Sequence, residues 1–315
     1  TNPSFLCLSP DNRFLYAVNE DADSLGRGGM VSSYRVRTKK GRFTLLNQVS
    51  SGGNHPCYVS ILPNSKTLYV ANYSTGSIGV YGIQKNGALD TLSQLISHVG
   101  KSINKNRQER AHVHATYLST DGNYLFAPDL GMDKLMLYKT DFNASKITPH
   151  IQPHIAVRGG AGPRHVVMHP NQQYVYLTEE LTGTLSVFSF KEGSVKLMQT
   201  ISTVAEDYKG SFGVADIHIS EDGKFVYASN RGDANNIVIY AVDTNTGLLS
   251  TIGFQATLGI KPRNFSIDPT GNFLLVANQE SDNIVIFKRD SQTGLLTDTG
   301  KRISVPNPVC LVWSH

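Results

Sequence analysis

In 315 residues there are one Trp, three Cys and five Met, and only 17% of the residues are charged. Each shortage excludes something. Three cysteines are an odd number, and no two stand at the spacing of a metal pair or redox motif, so neither a disulfide framework nor a zinc module underlies the fold. Cys7, Cys57 and Cys310 fall where small apolar strand residues are wanted. They are expected to be buried free thiols, which favours a reducing compartment. No apolar run approaches the roughly 20 residues that span a bilayer, and no cleavable leader pattern is visible. Lys and Arg together exceed Asp and Glu by four, 29 against 25, and are scattered. Without a basic stripe and interleaved aromatics the sequence offers no nucleic-acid surface, and it offers no membrane surface either. The expected compartment is the cytoplasm, with the periplasm as alternative should an export signal precede Thr1.

What the sequence has in plenty is recurrence. PSFLCLSPDNRFLYAVNE from Pro3, HPCYVSILPNSKTLYVANYSTGSIGVYGI from His55 and HVHATYLSTDGNYLFAPDLGMDKLMLYK from His112 share one pattern. PRHVVMHPNQQYVYLTEELTGTLSVFSF from Pro163, VADIHISEDGKFVYASNRGDANNIVIYAV from Val214 and KPRNFSIDPTGNFLLVANQESDNIVIFKR from Lys261 repeat it. Each is an apolar strand, a Pro/Ser/Asp/Asn/Gly turn, a Tyr- or Phe-rich strand and a third apolar run. Asn19, Asn72, Asp129, Glu179, Asn230 and Asn278 hold equivalent places, giving a period of about 50 residues. A fourth, outer strand is expected in segments such as 42–49, 147–156, 195–201 and 295–303. The pattern predicts an all-β propeller of four-stranded antiparallel blades forming one domain over residues 1–315.

NPVCLVW, from Asn307 to Trp313, matches the first strand of a repeat and then stops. One strand cannot bury its faces alone. The expectation is therefore a seven-bladed propeller whose closing blade lacks its N-terminal strands in this sequence, a shortfall on the order of 40 residues at this period.

First strands of propeller blades line a central channel, so equivalent residues are expected to converge there. These places hold His55, His112, His114, Arg164, His165, Asp216, His218 and Arg263, and the rim after the second strands adds Glu179, Glu180 and Arg231. Imidazoles, carboxylates and guanidiniums around one opening suit acid/base chemistry on an anion. Other readings stand beside this one. His112 and His114 lie on one strand face and could pair with His165 or Glu180 on a metal. Asp216 and His218 could bond between blades, and His169, where other repeats carry Ser or Asp, reads as a turn residue. An insertion from His98 to Arg110 carries Lys101, Lys105, Arg107 and Arg110. It is either a solvated loop or a lid that grips an anion.

GAGPRHVVMHPNQQYVYLTEEL, VADIHISEDGKFVYASNR and KPRNFSIDPTGNFLLVANQES resemble blades of the propeller lactonases, which include bacterial 6-phosphogluconolactonases and fungal carboxymuconate-lactonising enzymes. The similarity runs through essentially the whole chain. It implies a site without metal or cofactor, in which His114, Arg164 and Glu180 are catalytic. His112, His165, Asp216, His218, Arg231, Arg263 and Arg107 would then bind a small phosphorylated sugar lactone. Glu179 stands where the family often has Asn, which leaves both glutamates as candidates. The alternatives are a sugar lactonase, a muconate-type cycloisomerase and a non-enzymatic binding scaffold.

Overall fold

A computed structural model describes residues 2–22, 28–37, 41–64, 66–191 and 193–314. The chain divides into two compact units, Thr1–Pro163 with Ser314–His315, and Arg164–Trp313. In the first unit, one sheet comprises β1 (Pro3–Leu8), β2 (Phe14–Asn19), β3 (Met30–Arg37) and β4 (Arg42–Ser50). A second comprises β5 (Pro56–Ile61), β6 (Thr67–Asn72), β7 (Ser77–Ile83) and β8 (Leu89–Ser97). The third comprises β9 (Tyr117–Leu118), β10 (Tyr124–Asp129), β11 (Lys134–Thr140) and β12 (Ile147–Ala156).

The fourth sheet, β13 (Pro163–Met168), β14 (Tyr174–Glu179), β15 (Thr184–Lys191) and β16 (Ser194–Ser202), opens the second unit. It is followed by β17 (Gly213–Ile219), β18 (Phe225–Arg231), β19 (Asn236–Val242) and β20 (Leu249–Ala256). The sixth sheet is β21 (Pro262–Ile267), β22 (Phe273–Asn278), β23 (Asn283–Arg289) and β24 (Leu296–Ser304). All are antiparallel meanders, so the fold is the expected all-β propeller of four-stranded blades.

Position within the blade decides composition. Second strands such as FLYAVN, TLYVAN and YVYLTE are buried at every residue, as a strand in the interior of a packed sheet must be. The fourth strands are mostly exposed. Apolar cores lie between consecutive sheets: Tyr16, Val18, Val59 and Leu68 between the first two, and Tyr227, Ile239, Phe265 and Val276 between the last two.

A recurring clasp joins sheets within each unit. The hydroxyls of Tyr16, Tyr176 and Tyr227 donate to the carbonyls of Gly87, Gly247 and Gly294, in the next sheet's turn, at 3.1, 3.1 and 2.8 Å. Those glycines have φ of 90, 71 and 73°, and a Cβ would strike the rings of Phe14, Tyr174 and Phe225. Only glycine fits both demands. The third sheet's turn reads DFNASK and lacks this glycine. There the Tyr69 hydroxyl is buried without a partner.

The SPDNRF-type turns close in the same way. In three of them Ser9, Ser119 and Ser220 donate to Asp11, Asp121 and Asp222 and accept the N–H of Phe14, Tyr124 and Phe225. His169 replaces the serine, its Nδ1 accepting the Asn171 N–H and its Nε2 meeting the Gly223 carbonyl. It is a turn residue, as its place in the repeat implies.

Three details differ from expectation. The first strand of the third sheet is only Tyr117–Leu118, with an isolated Val113–Asp129 bridge before it. NPVCLVW carries no strand ladder. Its Leu311 N–H and Trp313 Nε1 instead donate to Asn264 Oδ1 and Ser266 Oγ, on β21. The three cysteines are free, but only Cys57 is buried, while Cys7 and Cys310 are half-buried, because β1 and the C-terminal segment bury few of their residues. Among the described residues no helix is long and apolar enough to cross a membrane.

Candidate active site

In the second unit the strand-end pattern gathers Arg164, Glu180 and Arg231. Arg164 is the second residue of β13, Glu180 follows β14, and Arg231 ends β18. Glu180 Oε2 lies 3.0 Å from Arg164 Nε and 3.1 Å from Arg231 Nη2. Two guanidiniums on one carboxylate oxygen favour its charged form. The Arg164 side chain is 2% exposed and its Nη1 donates to the Ala215 carbonyl at 2.5 Å. Its Nε–H is not aligned on any acceptor, so the contact with Glu180 is an ion pair off the hydrogen-bond axis. Burial, and then the neighbouring Arg231, lower Arg164 to about 9, with Glu180 opposing. It remains a cation at neutral pH. Arg231 also donates to the Gly213 carbonyl through Nε and keeps 16% of its side chain exposed.

Glu179 is different. Its oxygens accept from Thr184 and Ser186 on the next strand of its own sheet, the place where Asn72, Asn230 and Asn278 make their bonds. Glu180, by contrast, meets two guanidiniums.

His165, Asp216 and His218 form a second group. Asp216 accepts from His165 Nδ1 at 2.8 Å, His218 Nε2 at 3.1 Å, Asn264 Nδ2 at 2.5 Å and the N–H groups of Ile217 and Phe265. It ties three successive sheets together, as the inter-blade reading anticipated. Burial alone would raise the Asp216 carboxyl, but His218 and His165 outweigh it and hold it well below the usual carboxylate range. Burial, then the Arg164 charge, lowers His165 to about 4. Arg263, half-buried on β21, contributes charge to both Arg164 and His165.

A pH dependence follows. The unfolded imidazole binds a proton below about 6.5, whereas folded His165 does so only near 4. Between those values acid favours unfolding; stability from the neutral ring is complete above pH 6.5 and gone by pH 4. The shift corresponds to about 3 kcal/mol at 1.36 kcal/mol per unit. Urea midpoints should therefore fall as pH drops from 7 to 4.5, and fall less in His165→Asn. Equal slopes in both proteins would refute the assignment.

In the first unit the organiser is Tyr73. His112 stacks on its ring at 4.4 Å, His114 meets its edge at 5.5 Å, and Arg107 Nη2 donates to its hydroxyl at 3.4 Å. His112 places Nδ1 3.0 Å from the Tyr73 carbonyl and Nε2 3.3 Å from Glu109. His114 Nδ1 lies 3.9 Å from Cys57 Sγ. Sequence reasoning did not select Tyr73, although it follows Asn72 as Glu180 follows Glu179 and Arg231 follows Asn230. That shared place was the available signal. Among the described residues no three His, Cys, Asp or Glu side chains gather as a metal site.

The His98–Arg110 insertion is firmly anchored. Buried Gln108 donates to the Leu130 carbonyl and Asp133 Oδ1, and accepts the Asn104 N–H. Asp133 also takes the N–H groups of Gly160 and Gly162 at 2.6 and 2.8 Å, joining the insertion to the GAG loop.

Residues 1–313 match the family model described as "Lactonase, 7-bladed beta-propeller". The chain belongs to this lactonase family. A Formosa agariphila 6-phosphogluconolactonase is 38% identical over 282 residues, 89% of this chain and 79% of its own. The Bacillus subtilis 6-phosphogluconolactonase is 34% identical, covering 100% of this chain and 88% of its own. Among solved structures, the Pseudomonas aeruginosa periplasmic gluconolactonase matches with a TM-score of 0.91 at 36% identity, covering 98% of this chain and 87% of its own. The family is seven-bladed; the described residues of this lactonase supply six four-stranded sheets.

Proposed function

We propose that the chain hydrolyses 6-phospho-D-glucono-1,5-lactone to 6-phosphogluconate, with Arg164, Glu180 and Arg231 at the reacting group. The observation that carries this reading is one buried carboxylate held between two guanidiniums, in a family of lactonases. Lactone opening adds a water oxygen to the carbonyl carbon, places negative charge on the carbonyl oxygen, and then breaks the bond to the ring oxygen. Arg164, a cation in a dry setting, suits the developing oxyanion. Glu180 takes the proton from water and returns it to the departing ring oxygen, which becomes a hydroxyl. Arg231, the more open guanidinium, serves the phosphate, with Arg263 adding positive charge. His114 remains the other candidate base and Arg107 the other candidate phosphate ligand. His112 is assigned to substrate beside Tyr73. His165, Asp216 and His218 act by holding sheets together.

A second reading keeps the chemistry and drops the phosphate, following the gluconolactonase relative. Phosphorylated sugars are retained inside cells by their charge, so the first reading places the protein in the cytoplasm and the second fits the periplasm.

Both are tested by following lactone opening through 6-phosphogluconate dehydrogenase, beside a panel of unphosphorylated sugar lactones. The phosphorylated lactone should give a kcat/KM at least about tenfold higher, one charge-assisted contact contributing ~1.5 kcal/mol or more. Preference for an unphosphorylated lactone would select the second reading. Inactivity on the whole panel would leave a binding scaffold.

A further inference from the structure

The residue between a fourth strand and the next sheet recurs as Ser51, His98, Thr203 and Thr257, each sending its N–H to the carbonyl of Gly29, Gly76, Gly183 or Asn235. In three of these junctions an Asn at the end of the next second strand donates to the linker carbonyl. Asn72 bonds to Ser51, Asn230 to Thr203 and Asn278 to Thr257, at 2.9, 2.7 and 3.2 Å. Third-strand tyrosines close two junctions further, Tyr81 donating to Ser50 and Tyr240 to Ser202, both at 2.7 Å.

The junction before the third sheet is built differently. Asp129 stands in place of Asn and His98 in place of Ser or Thr. His98 Nδ1 lies 2.7 Å from Asp129 Oδ2, and His98 Nε2 lies 2.7 Å from the Tyr138 hydroxyl. The side chains of His98 and Asp129 are 2% and 0% exposed. Asp129 accepts from several donors and is read as a carboxylate, so the consistent arrangement runs from Tyr138 O–H to Nε2 and from Nδ1–H to Asp129.

Its other oxygen reaches further than the asparagines do. Asp129 Oδ1 accepts the backbone N–H of His112 at 2.8 Å and of Met132 at 3.1 Å. The matching oxygens of Asn72 and Asn278 are buried without partners. Bonds to a carboxylate are shorter and about twice as strong as neutral ones. The exception thus falls where the first strand is short and where His112 must be held against Tyr73 by other means.

We propose that the buried Tyr138–His98–Asp129 chain is a positioning device for His112, an ionised replacement for the Asn–Ser/Thr clasp that fixes the backbone from which this imidazole projects. The inference rests on the lactonase reading above and on the assignment of His112 to substrate. Displacements near 1 Å can cost about a hundredfold in rate, so such a support has something to protect.

The repeat itself supplies the test. The double variant Asp129→Asn with His98→Thr rebuilds the Asn230–Thr203 clasp and leaves Tyr138 able to donate to Ser97, as Tyr81 does to Ser50. It should melt cooperatively near the wild-type temperature while kcat/KM falls about tenfold or more. His112→Ala added to it should cost little beyond that, since both act through one imidazole. The His112 ring resonances should shift, a readout that needs no substrate. Wild-type turnover in the double variant, losses that multiply with His112→Ala, unmoved His112 resonances, or loss of the cooperative transition would each overturn the proposal. A wild-type protein inactive on every lactone would overturn the functional reading alone, leaving the resonance comparison to decide this one.

Discussion

Replacing Arg164 with Met should lower kcat/KM for lactone opening by about a hundredfold to a thousandfold, the cost of removing one preorganised oxyanion donor. Nearly all of the loss should appear in kcat, because a cation facing charge that develops only in the transition state adds little to substrate binding. The change keeps an unbranched side chain while removing the guanidinium, and Glu180 keeps Arg231 at 3.1 Å as its counter-ion. Glu180→Gln should cost about tenfold to a thousandfold through loss of the proton acceptor. Arg231→Met should instead raise KM for the phosphorylated lactone and leave an unphosphorylated one less affected. Steady-state kinetics on both substrates separates these patterns. Rates near wild type in both Arg164→Met and Glu180→Gln would discard the assignment.

The largest stability effect is expected at Asp216. Truncation to Ala leaves His165 Nδ1, His218 Nε2, Asn264 Nδ2 and the N–H groups of Ile217 and Phe265 without their shared acceptor. Breaking a buried, charge-assisted group of this kind costs about 3–5 kcal/mol. In urea unfolding the midpoint should fall with the slope unchanged, since the surface exposed on unfolding is similar. A loss below about 1 kcal/mol, the scale of an exposed pair, would mean that the three sheets do not depend on this carboxylate.

The strands were legible because burial enforces their composition. A second strand covered on both faces must be apolar throughout, and FLYAVN, TLYVAN and YVYLTE show it. Segments 147–156 and 42–49 were placed to within a residue as outer strands. The shortened first strand of the third sheet was not legible, because HVHATYL reads as a strand whether or not its backbone is paired. At the site, Arg164, Glu180 and Arg231 were legible through their places in the repeat. The difference between Glu179 and Glu180 was not. It depends on Thr184 and Ser186 meeting one glutamate while two guanidiniums meet the other, and adjacent letters do not reveal which way each side chain turns. Asp133 is illegible in the sequence for a related reason. Its partners Gln108, Gly160 and Gly162 sit 25 to 29 residues away, in loops that break the repeat.

The variation among junctions also bears on assembly. A chain of near-copies can dock the wrong copy during folding, and similar sheets would accept one another on shape alone. Asp129 cannot donate to the carbonyl of Ser51 or Thr203 as an asparagine does, and a wrong neighbour would bury its charge opposite another acceptor, costing several kcal/mol. At its own junction His98 supplies a ring N–H to it. A carboxylate met by a histidine therefore stands where the neighbouring junctions set an asparagine against a carbonyl, and the two kinds of junction are not interchangeable donor for donor.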